Sequence, residues 1–203
     1  MKRTILVIAL FAFGAVDGGV AQCSTGSPSS AREIVQQLWS MATWGDLSSD
    51  SGWDKASQSF FTKPNPVPRD KSVAIISNEW GPPSERMLDS DSAEVEVGFR
   101  DLGQIDSNLR YIPPKPTDAI KMGKSYHLIL VPAYLKMYAA DGKTVLQQKP
   151  TGCQQWEIQG SLDQPWTTVN TAIRYVLERR NRTQDPKIRQ NAEATLSKLL
   201  TLH

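Results

Sequence analysis

His127 is the only internal histidine of the chain, since His203 is its last residue. An imidazole titrates near neutral pH, which makes it the natural proton carrier in general acid–base work. That work needs a positioned carboxylate, and Asp106 is the nearest candidate by topology. The competing reading is a ring that fills a sheet face and bonds a backbone carbonyl. Glu94, Glu96 and Glu157 alternate with apolar neighbours and are expected to face solvent, which weakens the case for a buried catalytic acid. One internal histidine and two cysteines do not make up a four-ligand metal site of the usual kind. Neither a glycine-rich phosphate loop nor a Gly-x-Ser-x-Gly elbow occurs. No metal or cofactor is expected.

Aromatic rings are the richer resource. Aromatic walls with few polar anchors describe small-molecule pockets. Trp39 and Trp156 read as core, whereas Trp53, Phe60, Tyr126 and Tyr134 are the candidates for lining a ligand cavity. Core packing is the alternative for these rings too.

The elements that must position these residues centre on residues 125–160. A long β run around Tyr126, Leu128 and Leu130 turns at Asp141-Gly142 and returns through Val145, with a third short strand ending at Trp156-Glu157-Ile158. Asp-Gly between β-type runs is a strong hairpin signal, because glycine takes the positive φ of such turns. His127, Ile129 and Val131 share the opposite face of the first strand, so both faces are largely apolar and the strand reads as central. Pro132 predicts a bulge or bend.

Upstream, Ser29 or Ser30 caps a helix whose apolar positions are Ile34, Val35, Leu38, Trp39 and Met41 or Ala42. Trp44-Gly45-Asp46 stops it, and a second helix that starts over residues 49–53 carries Trp53, Ala56 and Phe60. Strands are predicted at residues 72–77 and 93–100, where Ala93, Val95, Val97 and Phe99 alternate with polar residues. Two amphipathic helices close the chain: residues 165–180, and a second opened by Asp185-Pro186 as N-cap and first helical residue. The basic run from Arg174 to Arg189 reads as their solvated face.

The amino terminus sets the compartment. Lys2-Arg3, an apolar run from Ile5 to Val16 and small residues at Gly19 and Ala21 describe a secretory signal peptide cleaved after Ala21. The run is too short to span a bilayer, which takes about 20 residues. An exported protein, periplasmic or secreted, is expected, with residues 22–30 as a flexible spacer. Cys23 admits two fates. In an exported chain it can pair with Cys153, the only other cysteine, a closure that chain entropy values at about 4–5 kcal/mol. Alternatively its thiol carries a lipid and anchors the protein to the envelope, although Gln22 is not the small residue such sites place before the cysteine. Membrane association is expected only in that second case. Without the leader, 23 basic and 21 acidic residues become 21 and 20. Near-neutral charge provides no field for nucleic acid, and no such partner is expected.

Two helices, a proline loop, then a bent antiparallel sheet ending at Trp156-Glu157-Ile158: this order resembles the nuclear-transport-factor-2-like superfamily over residues 31–160. The resemblance implies an α+β, cone-like domain over residues 31–162, with N-terminal helices packed on a strongly curved antiparallel sheet. Residues 163–203 then form a C-terminal extension of two helices packed on the same domain. It implies an exported, non-catalytic module that binds a small apolar ligand or a protein, with a homodimer through the sheet. The alternative is a small isomerase or dehydratase using His127 and Asp106 as its acid–base pair.

Overall fold

The computed structural model describes residues 30–66, 72–114, 122–138 and 145–202. The leader, the spacer with Cys23, and the Asp141-Gly142 turn lie outside the described residues.

Ser30, the first of the described residues, forms a reciprocal cap. Its hydroxyl accepts the Glu33 N–H at 3.2 Å, and the Glu33 carboxylate accepts the Ser30 N–H at 3.1 Å. Helix α1 (Ala31–Trp44) then buries Ala31, Val35, Leu38, Trp39 and Ala42 along one stripe. Gly45 ends it at φ 85, where a Cβ would also stand 2.5 Å from Thr171 Cγ2. Glycine is therefore required there twice over, by backbone conformation and by close approach. A 3-10 turn (Asp46–Ser48) leads to α2 (Asp50–Phe60), capped by the Ser49 hydroxyl.

Eight strands follow among the described residues: β1 (Val73–Ile76), β2 (Ser84–Met87), β3 (Ser92–Phe99), β4 (Asp101–Ile105), β5 (Tyr111–Ile112), β6 (Met122–Tyr138), β7 (Val145–Ile158) and β8 (Trp166–Thr168). They form two four-stranded sheets, ordered β2-β3-β6-β7 and β5-β4-β1-β8. Every pairing is antiparallel except β1 with β8. The chain passes from one sheet to the other at Arg100, between β3 and β4. Helices α3 (Val169–Arg182) and α4 (Pro186–Leu199) complete an α+β fold.

Residues 166–168 and the return of the hairpin differ from the expectations. Residues 166–168 are strand rather than the first turn of a helix, because Ala74, Ile75 and Ile76 supply a parallel ladder for Trp166, Thr167 and Thr168. The β-branched threonines suit that pleated setting, and α3 starts only after them. The return of the hairpin is one continuous strand, β7, not two. Its ladder with β6 shifts register between Pro132 and Tyr134, opposite Gly152 at φ 79.

The core has two compartments. In the first, α1 and α2 pack on the β2-β3-β6-β7 sheet through Trp39, Trp53, Ala93, Val95, Leu128 and Ile158. In the second, α3 and α4 cover the other sheet through Ile75, Ile105, Val176, Ala192 and Leu199. Successive strand residues point to opposite faces, so β1 serves both, with Ile76 in the first compartment and Ile75 in the second. Beyond Ile129, β6 loses its β3 partner and continues with β7 alone as a two-stranded ribbon. Tyr134, Leu135, Met137 and Leu146 are exposed on it.

Candidate functional site

Trp39, fully buried on α1, is the hub of an aromatic cluster. Its ring centroid lies 5.4 Å from Trp80, 5.3 Å from Phe99 and 5.5 Å from Trp166, all tilted, within the range in which aromatic pairs attract. Its Nε1–H donates to the Tyr126 hydroxyl at 3.0 Å. Burial raises the Tyr126 phenol well above its ordinary pKa, an effect the Trp39 bond only partly offsets. The residue stays neutral and structural.

Beside this cluster, where β3 gives way to β4, the two sheets part around a pocket of about 160 Å3. Trp39, Phe99 and Trp166 wall it, Ala74, Ile76 and Met122 add apolar surface, and Asp101, Lys124 and Gln164 contribute polar groups. The Lys124 ammonium lies 5.0 Å from the Trp166 ring centroid and 5.6 Å from that of Tyr126, a cation–π arrangement. It also pairs with Asp163 at 3.2 Å. An Asp101 carboxylate oxygen accepts the Gly103 N–H at 2.8 Å. Two broader hollows, one between the 3-10 turn and α3 and one between α1 and α2, are lined mainly by polar side chains.

The structure does not bring His127 and Asp106 together. His127 is exposed on the outer face of the first sheet, directly across the ladder from Glu94. Ile129 and Val131, on that same face, are only half-buried. Asp106 belongs to the second sheet, in the turn between β4 and β5. Its carboxylate accepts the N–H groups of Asn108 and Arg110 at 2.9 and 2.8 Å and pairs with the Arg110 guanidinium at 2.7 Å.

Burial alone would raise the Asp106 carboxyl, but these bonds outweigh it and hold the group below its ordinary pKa. A depressed carboxyl stabilises above the unfolded value of about 3.9, and that contribution is lost as pH falls through the folded value. Asp106→Asn is therefore expected to lower stability by about 1–2 kcal/mol near neutral pH. The gap from wild type should close in acid; urea midpoints at neutral and acidic pH check both.

The four proposed ligand-lining rings also separate. Trp53 is fully buried, its Nε1–H donating to the Asn65 carbonyl at 3.1 Å. Phe60 is buried at the base of the α1–α2 groove. Tyr126 stands one layer behind the seam pocket, touching it through Trp39 and Lys124. Tyr134 is exposed on the ribbon. Of the pocket's actual walls, Phe99 continues the inward series Ala93, Val95 and Val97, and could have been found from that alternation. Lys124 and Gln164 carry no local signal. Cys153 is disulfide-bonded; Cys23 lies outside the described residues.

Among the described residues no cluster of three His, Cys, Asp or Glu side chains could hold a metal, and no helix is long and apolar enough to cross a membrane. No protein-family model, curated protein or solved structure matches this chain, so what the pocket does must be argued from its own geometry.

Proposed function

We propose that the protein is an exported, non-catalytic binding module that holds a small, largely apolar molecule in the seam pocket. The observation that carries this reading is the pocket itself: Trp39, Phe99 and Trp166 line a partly open space of about 160 Å3 beside the first core compartment. The order of elements supports a build of the nuclear-transport-factor-2-like kind, with the first sheet curved over α1 and α2 as a cone. An acid–base enzyme has less support, since His127 faces solvent and Asp106 is committed to its own turn. A protein-interaction role, including pairing of two copies through the sheet, draws on the apolar side chains exposed along the β6–β7 ribbon.

Toluene, titrated into the full chain and followed by ligand-observed NMR, tests the pocket. Saturable binding is expected for wild type. Ala74→Leu, which extends a lining side chain into the space, should weaken it at least about tenfold, which is about 1.4 kcal/mol. Failure of wild type to bind toluene, or equal binding by a folded Ala74→Leu protein, would rule the pocket out as the site.

A further inference from the structure

We infer that the far half of the β6–β7 ribbon docks on the headgroup layer of an anionic lipid bilayer. The inference is independent of the seam pocket, and it gives the protein a route to a membrane that needs no lipid on Cys23.

Beyond Ile129 the ribbon leaves the body of the protein, with β7 as the one ladder partner of β6 among the described residues. From Leu130 to Met137 it reaches about 25 Å, at about 3.3 Å per residue. Five of the twelve large apolar side chains exposed among the described residues lie on this stretch: Tyr134, Leu135, Met137, Val145 and Leu146. Leu135 is 54% exposed and Leu146 68%. Tyr134 and Leu135 are consecutive in one strand, so they point to opposite faces. A two-stranded ribbon is marginal in water by itself, and here neither face is covered.

Charge is the second observation. The described residues of the ribbon hold Lys136 and Lys149 and no carboxylate before Glu157. The body beside its base is acidic instead: the Leu130 N–H donates to the Asp91 carbonyl, in the turn that also holds Asp89. Those carboxylates stand several residues back along β6, beyond the Debye length of about 8–10 Å, and do not offset the two lysines.

Exposure and charge together select the occupant. A second copy of the ribbon brings the same two lysines, and a flat protein surface covers one face only. A layer of anionic headgroups supplies negative charge and surrounds both faces at once. The open edge of β6 limits the depth, because unpaired backbone groups are not tolerated in hydrocarbon. The ribbon therefore lies among the headgroups and does not span. Tyr134, with an apolar ring and a polar tip, suits that layer.

Cosedimentation of the full chain with vesicles tests this, using phosphatidylcholine alone and phosphatidylcholine mixed with phosphatidylglycerol. Every variant keeps the same amino terminus, so any contribution from residues 1–23 is common to all. Wild type should prefer the mixed vesicles at least about tenfold at low salt and lose that preference at high salt. Leu135→Ser combined with Leu146→Ser should weaken binding to the mixed vesicles at least about tenfold, and Lys149→Gln about fivefold. Arg182→Gln, on the exposed face of α3, should leave it unchanged. All four positions are exposed, and urea midpoints confirm that the variants fold. No preference of wild type for the mixed vesicles, wild-type binding by either folded ribbon variant, or loss of binding in Arg182→Gln would overturn the inference. So would a dimer in analytical ultracentrifugation that forms without vesicle binding and is abolished in the double variant, since the occupant would then be a second copy of the chain.

Discussion

Trp39→Ala lowers the free energy of unfolding by about 3–5 kcal/mol, the range for removing a large buried aromatic side chain. The side chain is 1% exposed, contacts three other rings and donates to Tyr126. Alanine removes all of this and leaves the Tyr126 hydroxyl without its donor. Neighbouring rings cannot collapse into the space freely, because each is anchored elsewhere: Trp80 to Thr43, and Trp166 in the β1–β8 ladder. A loss of that size lowers the melting temperature by roughly 6–20 °C in a chain of this length. Trp39→Phe keeps most of the volume, loses the indole donor, and should cost about 1 kcal/mol from the missing bond. Urea unfolding of the three proteins measures the series. A Trp39→Ala effect below about 1 kcal/mol would mean that the cluster is not the centre of the first compartment.

Thr195→Val is the second large effect, through polar groups rather than volume. The Thr195 hydroxyl, on α4, donates to the Leu109 carbonyl at 2.7 Å and accepts the Tyr111 N–H at 2.9 Å. Leu109 adopts φ 61, a left-handed conformation unusual for a branched apolar residue, with its side chain fully buried. Valine fills nearly the same space but strands one acceptor and one donor, each costing about 1–3 kcal/mol. A combined loss of about 2–4 kcal/mol is expected, with the urea m-value unchanged. Thr195→Ser keeps both bonds and should lose only the value of a methyl group, about 0.8 kcal/mol. Equal losses in the two variants would show that packing, not hydrogen bonding, is what Thr195 contributes.

Much of the framework was legible because its signals are local. A serine cap at Ser29 or Ser30, the Trp44-Gly45-Asp46 stop and Asp185-Pro186 mark helix ends through chemistry within one turn of the chain, and the structure has Ser30, Gly45 and Asp185 as the caps. The alternation in β3 was equally clear: Ala93, Val95 and Val97 are all fully buried. What escaped depends on partners far along the chain. The spacing of Trp166, Val169 and Ile173 fits a helix as well as it fits a strand running into one, and only the ladder with β1 decides. β2 is exposed at all four positions and has no apolar rhythm, so nothing in its residues announced a strand.

The candidate site was less legible for the same reason. Tyr126 and Leu128 share a face, as their alternation predicts, and that face is the buried one, but Ile129 and Val131 made the His127 face look more enclosed than it is. The seam pocket draws on α1, β1, β3, β4, β6 and β8 at once. No stretch of sequence contains enough of it to show that an unfilled space would form.

A four-residue strand with neither side idle constrains how this sequence can drift. Ile75 and Ile76 are adjacent in the chain yet belong to different compartments. Cores are packed too densely to absorb a displaced backbone at no cost. Enlarging either isoleucine moves the shared ribbon away from one neighbourhood and into the other, so replacements at these two positions are tolerated as matched pairs rather than singly.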